Sequence, residues 1–168
     1  MTLAKIENRQ KRYHPNPEHC RALLETFLRR ARRLLPAEVT PWSDVTVLLM
    51  GHRAMAGAHR AVFGKHGPTD VISMMYAQMP GMDVGSSGEL LVNVERAVEE
   101  GRKRAKKTAW SPSHELALYI AHGVDHLTGA DDATPADRRR MRAREIRWVR
   151  AAERSGLLRG LLRVRTPA

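Results

Sequence analysis

The stretch from His122 to Asp132, HGVDHLTGADD, places two imidazoles four residues apart, a glycine three residues after the second, and two adjacent carboxylates just beyond. On a helix, residues i and i+4 share a face, so His122 and His126 can offer neutral ring nitrogens to one cation. Gly129 stands where a helix needs a residue of positive φ to stop. A chain turning back there carries Asp131 and Asp132 toward the histidines. Zinc accepts imidazole and carboxylate alike, and three protein ligands leave a fourth position for water, which is the arrangement of catalytic rather than structural sites. In a chain with eight histidines the pair alone is weak; the glycine and the carboxylates give it weight.

Counted from His122, the histidines and Asp132 fall at 0, 4 and 10 with glycine at 7, the ligand spacing of metzincin zinc helices. Metalloproteases of that pattern carry a glutamate directly after the first histidine as general base. Here that residue is Gly123, which cannot take a proton. Peptide hydrolysis by the usual route is disfavoured, and bulk charge points to a different electrophile. Lys and Arg total 29 against 18 for Asp and Glu, a net +11, a field that favours polyanions such as nucleic acid. Aromatic residues make up only 5%, so binding should lean on phosphates and be strongly salt dependent.

The elements that would position these groups can be read from capping signals and periodicity. Asn16-Pro17 reads as a helix start, followed by Cys20, Leu24, Phe27, Ala31 and Leu34 at helical spacing. Strands are expected at Val45 to Met50, within GPTDVISMMY and at Gly88 to Val94, with a short helix in GHRAMAGAHRAVF and a glycine-rich loop, AQMPGMDVGSSG, before the third strand. A polar helix with a basic end follows from Glu95 to Lys107. Ser111-Pro112 opens the helix of the histidines, whose Leu116, Ala117, Ile120 and Val124 keep the helical period, and Thr134-Pro135 opens the last helix, with Met141, Glu145, Trp148 and Ala152 on one stripe and Gly156 as its stop. This order predicts an α+β fold, a small mixed β-sheet packed with helices, one of them a metzincin-like metal helix.

With 168 residues, 42% hydrophobic and 28% charged, the chain suits one globular unit. The expected organisation is a single catalytic domain over residues 1–156 and a basic C-terminal tail over 157–168. The lone Cys20 cannot form an internal disulfide. No apolar run approaches the length of about 20 residues that spans a bilayer, and no signal peptide is evident, so a cytoplasmic location without membrane association is expected.

The motif HGVDHLTGADD resembles the signature HGxLHLxGYDH of the YbeY family of endoribonucleases. GPTDVISMMY is similar to that family's PTDVLSF segment, GELLVNVERA to its GDIVIS strand and following helix, and Met141 with Glu145 to a methionine and glutamate after the metal motif. The resemblance runs from Val45 to Trp148. It implies a zinc-dependent, single-strand-specific endoribonuclease acting in ribosomal RNA maturation at the 16S 3′ end and in ribosome quality control. The implied partners are ribosomal RNA and the ribosome or its subunits, and the implied cofactor is one Zn2+ per chain.

By the same resemblance the ligands are His122, His126 and, where the family has a third histidine, Asp132, acting in catalysis through the metal; Asp131 is the alternative ligand, or caps the turn. The chain departs from the pattern with Asp125 for leucine, Met74 for phenylalanine, His59 for asparagine, and Phe63 where many members carry a functional arginine. Arg60 is the catalytic candidate to supply that charge, with Lys65 behind it. Thr69 reads as part of a turn, and Ser73 as either structural or substrate-facing. The rival functions are a noncatalytic ribosome-associated RNA-binding factor with a structural metal, and a metallopeptidase.

Overall fold

A computed structural model describes residues 2–77 and 85–164. Its main sheet has four strands, β1 (Leu3–Asn8), β3 (Asp44–Met50), β5 (Ser87–Asn93) and β4 (Val71–Tyr76), in the order β1-β3-β5-β4. The first three run parallel and β4 pairs antiparallel with β5. A second, two-stranded sheet joins β2 (His14–Pro15) to β6 (Leu162–Arg163). The helices are α1 (Pro17–Arg32), α2 (His52–Phe63), α3 (Val94–Ala105), α4 (Pro112–Leu127) and α5 (Pro135–Arg154). The fold is α+β with a mixed sheet, as the sequence predicts.

Alternation along the strands divides the core. Val45, Val47 and Leu49 of β3 and Leu90 and Val92 of β5 face the large cluster formed with α1, α3 and α4. Leu48 and Leu91 point the other way, onto Met55 of α2 and Ile72 of β4. Helix α4 is buried nearly all round, as expected for a helix enclosed by sheet and neighbouring helices. The histidine pair therefore sits on the least mobile kind of support. Proline follows the cap of each of three helices: Asn16 accepts from the amides of Glu18 and His19, Ser111 from that of His114, and Thr134 from that of Asp137.

Three observations differ from the expectations. LAKIEN forms β1, a strand not read from the sequence. Leu34 lies beyond the end of α1 and is 45% exposed. The segment expected as a tail from residue 157 is instead packed through Arg163: Leu158, Leu161 and Leu162 are buried, and Leu162 and Arg163 pair with Pro15 and His14. The leucines scattered through this basic segment join the main core cluster, and burying their apolar area holds the segment down. The expected loop AQMPGMDVGSSG lies largely outside the described residues.

Candidate metal centre

His122 and His126 lie one turn apart near the C-terminal end of α4, their Nε2 atoms 3.1 Å apart. Each ring is anchored through its other nitrogen. His122 Nδ1 is 2.7 Å from Glu145 Oε1 on α5, and His126 Nδ1 is 2.9 Å from the carbonyl of Ala130. The carbonyl can only accept, so His126 Nδ1 donates to it; a proton on His122 Nδ1 likewise meets the carboxylate. With both Nδ1 atoms protonated, the two Nε2 lone pairs face each other. That approach is repulsive unless a proton or a cation lies between them. Burial disfavours the charged imidazole of His122, but the hydrogen bond and charge of Glu145 outweigh it and raise its pKa above the ordinary value. A metal ion would replace that proton with a larger charge.

Asp132 completes the group: one ligand atom from each of His122, His126 and Asp132 lies within 4.8 Å of the others. Gly129, at φ 85°, ends the helix in the left-handed region and lets the chain return toward it. Arg138, in the first turn of α5, donates to the carbonyls of Asp132 and Ala133 and holds the returning loop. Asp131 is exposed, and its carboxylate accepts from the amide of Ala133. Two imidazoles and a carboxylate, with lone pairs converging and rings oriented from behind, fit a zinc-like divalent cation.

Glu145 is the residue whose role spacing alone does not give. A carboxylate on the buried stripe of Met141 and Trp148 is its signal, because such a group must have a partner. Gly123 also has a structural reason. A Cβ there would lie 3.0 Å from Leu90 methyls and 3.2 Å from Val71, so a side chain would press on β5 and β4 and displace those methyls. With glycine at the position where a metallopeptidase carries its general-base glutamate, no proton acceptor stands there.

Two hollows meet at His122. One, of about 640 Å³, is lined by Asp70, His122, Asp132 and the arginines 138, 139 and 142 of α5. The other, of about 320 Å³, is lined by Phe63, Val71, Ser73, Met75, His122 and His126. Arg60 is exposed on α2 and Lys65 follows that helix, and neither lines either hollow. Ser73 donates weakly to the carbonyl of Gly123 at 3.3 Å, tying β4 to α4 while bordering the cleft. Asp70 accepts from the Thr69 hydroxyl and the Val71 amide, so the PTD segment forms a turn into β4. Asp125, buried beneath the histidines, receives two nitrogens of Arg144 at 3.0 and 2.9 Å.

A family model described as endoribonuclease YbeY matches residues 5–153. Relatives carrying that name include one from an Anaeromyxobacter strain, 34% identical over 155 residues that make up 92% of this chain and 75% of the relative. One from Frankia alni is 35% identical, covering 66% of this chain and 65% of its own. One from Syntrophotalea carbinolica is 31% identical, covering 86% and 92%. A solution structure from Thermotoga maritima matches with a TM-score of 0.57 at 19% identity, over 92% of this chain and 93% of the other. That last likeness is one of fold.

Proposed function

Because the chain belongs to the endoribonuclease YbeY family, we propose that it is a zinc-dependent endoribonuclease that cuts single-stranded ribosomal RNA, acting on the ribosome or its subunits in 16S 3′-end maturation and in ribosome quality control. The observation that carries this reading is the pair of facing Nε2 atoms with Asp132 beside them, at the junction of two hollows open to solvent. His122, His126 and Asp132 would hold a divalent cation, which would supply positive charge for a phosphoryl oxygen and lower the pKa of a bound water.

The protein's own groups prepare that position. Glu145 and the Ala130 carbonyl hold both imidazoles with Nε2 outward. Arg138 holds the loop of Asp132, so the third donor is positioned from behind as the first two are. Carboxylate in place of a third imidazole makes the site one unit less positive and any water there a weaker acid, which favours activity on the alkaline side. A peptidase reading lacks its base, since Gly123 has no side chain to take a proton.

The test is a cleavage time course on single-stranded ribosomal RNA, with wild type and His126→Ala purified in parallel and metal content measured on both. Wild type should cut, lose activity to chelator and regain it with zinc. His126→Ala should lose more than the roughly 10–100-fold that removal of a supporting residue costs. RNA that is bound but left uncut by wild type would sink the nuclease reading in favour of a binding factor.

A further inference from the structure

We infer that single-stranded RNA lies across the metal centre with its phosphates on the arginines of α5 and an unpaired base on Phe63, so that the two hollows form one cleft with a cationic half and a half that carries Phe63 and no Lys or Arg. This rests on the ribonuclease reading. The halves share His122 and differ in charge: one carries three arginines, the other no Lys or Arg. On one side stand Arg138, Arg139 and Arg142, all on α5 and all exposed. On the other stand Phe63, Val71 and Met75, with Phe63 54% and Met75 52% exposed, and no Lys or Arg among the lining residues.

These arginines keep charge to spare, as do Arg147 and Arg154 of the same helix, which line neither hollow. Elsewhere on α5, Arg140 pairs with Asp137, Arg144 with Asp125 and Arg150 with Glu153. Arg139 has no carboxylate within ion-pair distance among the described residues. Arg142 reaches Glu145 only at 3.7 Å, with its side chain 46% exposed. Arg138 spends its hydrogen bonds on neutral carbonyls, leaving its charge uncompensated. Guanidinium is the group suited to a phosphodiester, by charge and by its planar fork of donors.

Across the histidines, an aromatic ring and a thioether left in water form a platform for a base face, and the ring of His59 packs edge-on against Phe63 to hold it. Only an unpaired strand presents a phosphate to one half and a free base face to the other; in a duplex the bases are stacked and paired. The single-strand preference thus follows from the division of the cleft. It also relocates the phosphate clamp from the end of α2, where Phe63 stands, to the opposite wall.

The experiment is fluorescence anisotropy of the full chain with a labelled, mixed-sequence single-stranded RNA 12-mer in chelator, from about 50 to 200 mM salt, with thermal melts as a folding control. The double variant Arg139→Gln/Arg142→Gln should bind more weakly and flatten the plot of log K against log salt by about 0.7 for each phosphate no longer neutralised. Phe63→Ala should weaken binding by about tenfold with the wild-type slope, because stacking releases no counterions. Arg147→Gln, outside the cleft, should match wild type.

An unchanged slope in the double variant, an equal loss in Arg147→Gln, or equal affinity for the duplex of the same sequence overturns the inference. The same 12-mer is then incubated with zinc and wild-type protein. If it stays uncut while the two variant signatures hold, the nuclease reading fails and the cleft assignment stands. If it is cut while the double variant keeps the wild-type slope, the cleft assignment fails and the nuclease reading stands.

Discussion

Glu145 decides what His122 can do. Its side chain is 1% exposed, one oxygen lies 2.7 Å from His122 Nδ1, and the other has no hydrogen-bond partner among the described residues. That second oxygen faces only the Arg142 guanidinium at 3.7 Å, so the imidazole is the carboxylate's one hydrogen-bonded side-chain partner among the described residues, and the carboxylate orients it and makes it a better donor. Glu145→Gln keeps the shape and removes the charge. Zinc affinity, measured by titration against a competing chelator, should fall about 10–100-fold with the fold intact; an unchanged affinity would mean that the ring is oriented by packing alone. At this scale much was legible. The spacing brings His122, His126 and Asp132 together, and the buried stripe marks Glu145. Which nitrogens face each other was not, because tautomer and ring direction depend on Ala130 and Glu145, partners set by the loop and by a second helix. Arg60 differs: three residues before Phe63 on α2, it is exposed and lines neither hollow, whereas Phe63 lines one.

Helices α4 and α5 are held together by more than apolar packing. Asp125 is fully buried, and both its oxygens are met by Arg144, whose side chain is 26% exposed. Burial pushes the Asp125 carboxyl up, against the lowering effect of Arg144. Arg144→Ala leaves an unpaired charge beneath the histidines and should cost about 3 kcal/mol in denaturant unfolding. The double variant Asp125→Leu/Arg144→Met removes charge and partner together and should recover most of that loss; if it does not, the pair does more than offset its own burial. Helices α1, α4 and α5 were readable because each carries a cap, a first-turn proline and a buried stripe. Strand β1 was not, because LAKIEN buries only Ala4 fully, half-buries Ile6 and leaves Leu3 in solvent. Its extended form comes from the free edge of β3. Strands β2 and β6 have two residues each, too few for any period to show.

For the molecule as a whole, Cys20 reports integrity. It is wholly buried on α1, and burial pushes its thiol from the ordinary 9.0 up to about 12. A pKa raised on folding contributes stability that is complete below the unfolded value and is lost as pH climbs through the folded one. Cys20 therefore favours the native state below pH 9 and ceases to do so toward pH 12. At pH 8 the thiol should react with a disulfide reagent only as fast as the molecule opens globally, and denaturant should accelerate the reaction in step with unfolding. Rapid native-state reaction would show that α1 lifts off the core locally.

The register of the parallel strands has a kinetic meaning. Leu3 pairs with Asp44 and Asp44 with Ser87, so both neighbours of β3 must come from far along the chain, and only β4 to β5 is a nearer pairing. Each long closure costs entropy before any pairing repays it, which places refolding in the slow range of milliseconds to seconds rather than with helical bundles. Helix α4 packs on the face that those closures create. Both imidazoles therefore reach their final separation late in folding, and the capacity to capture a cation tightly should rise with the last cooperative phase rather than with the first formation of helix.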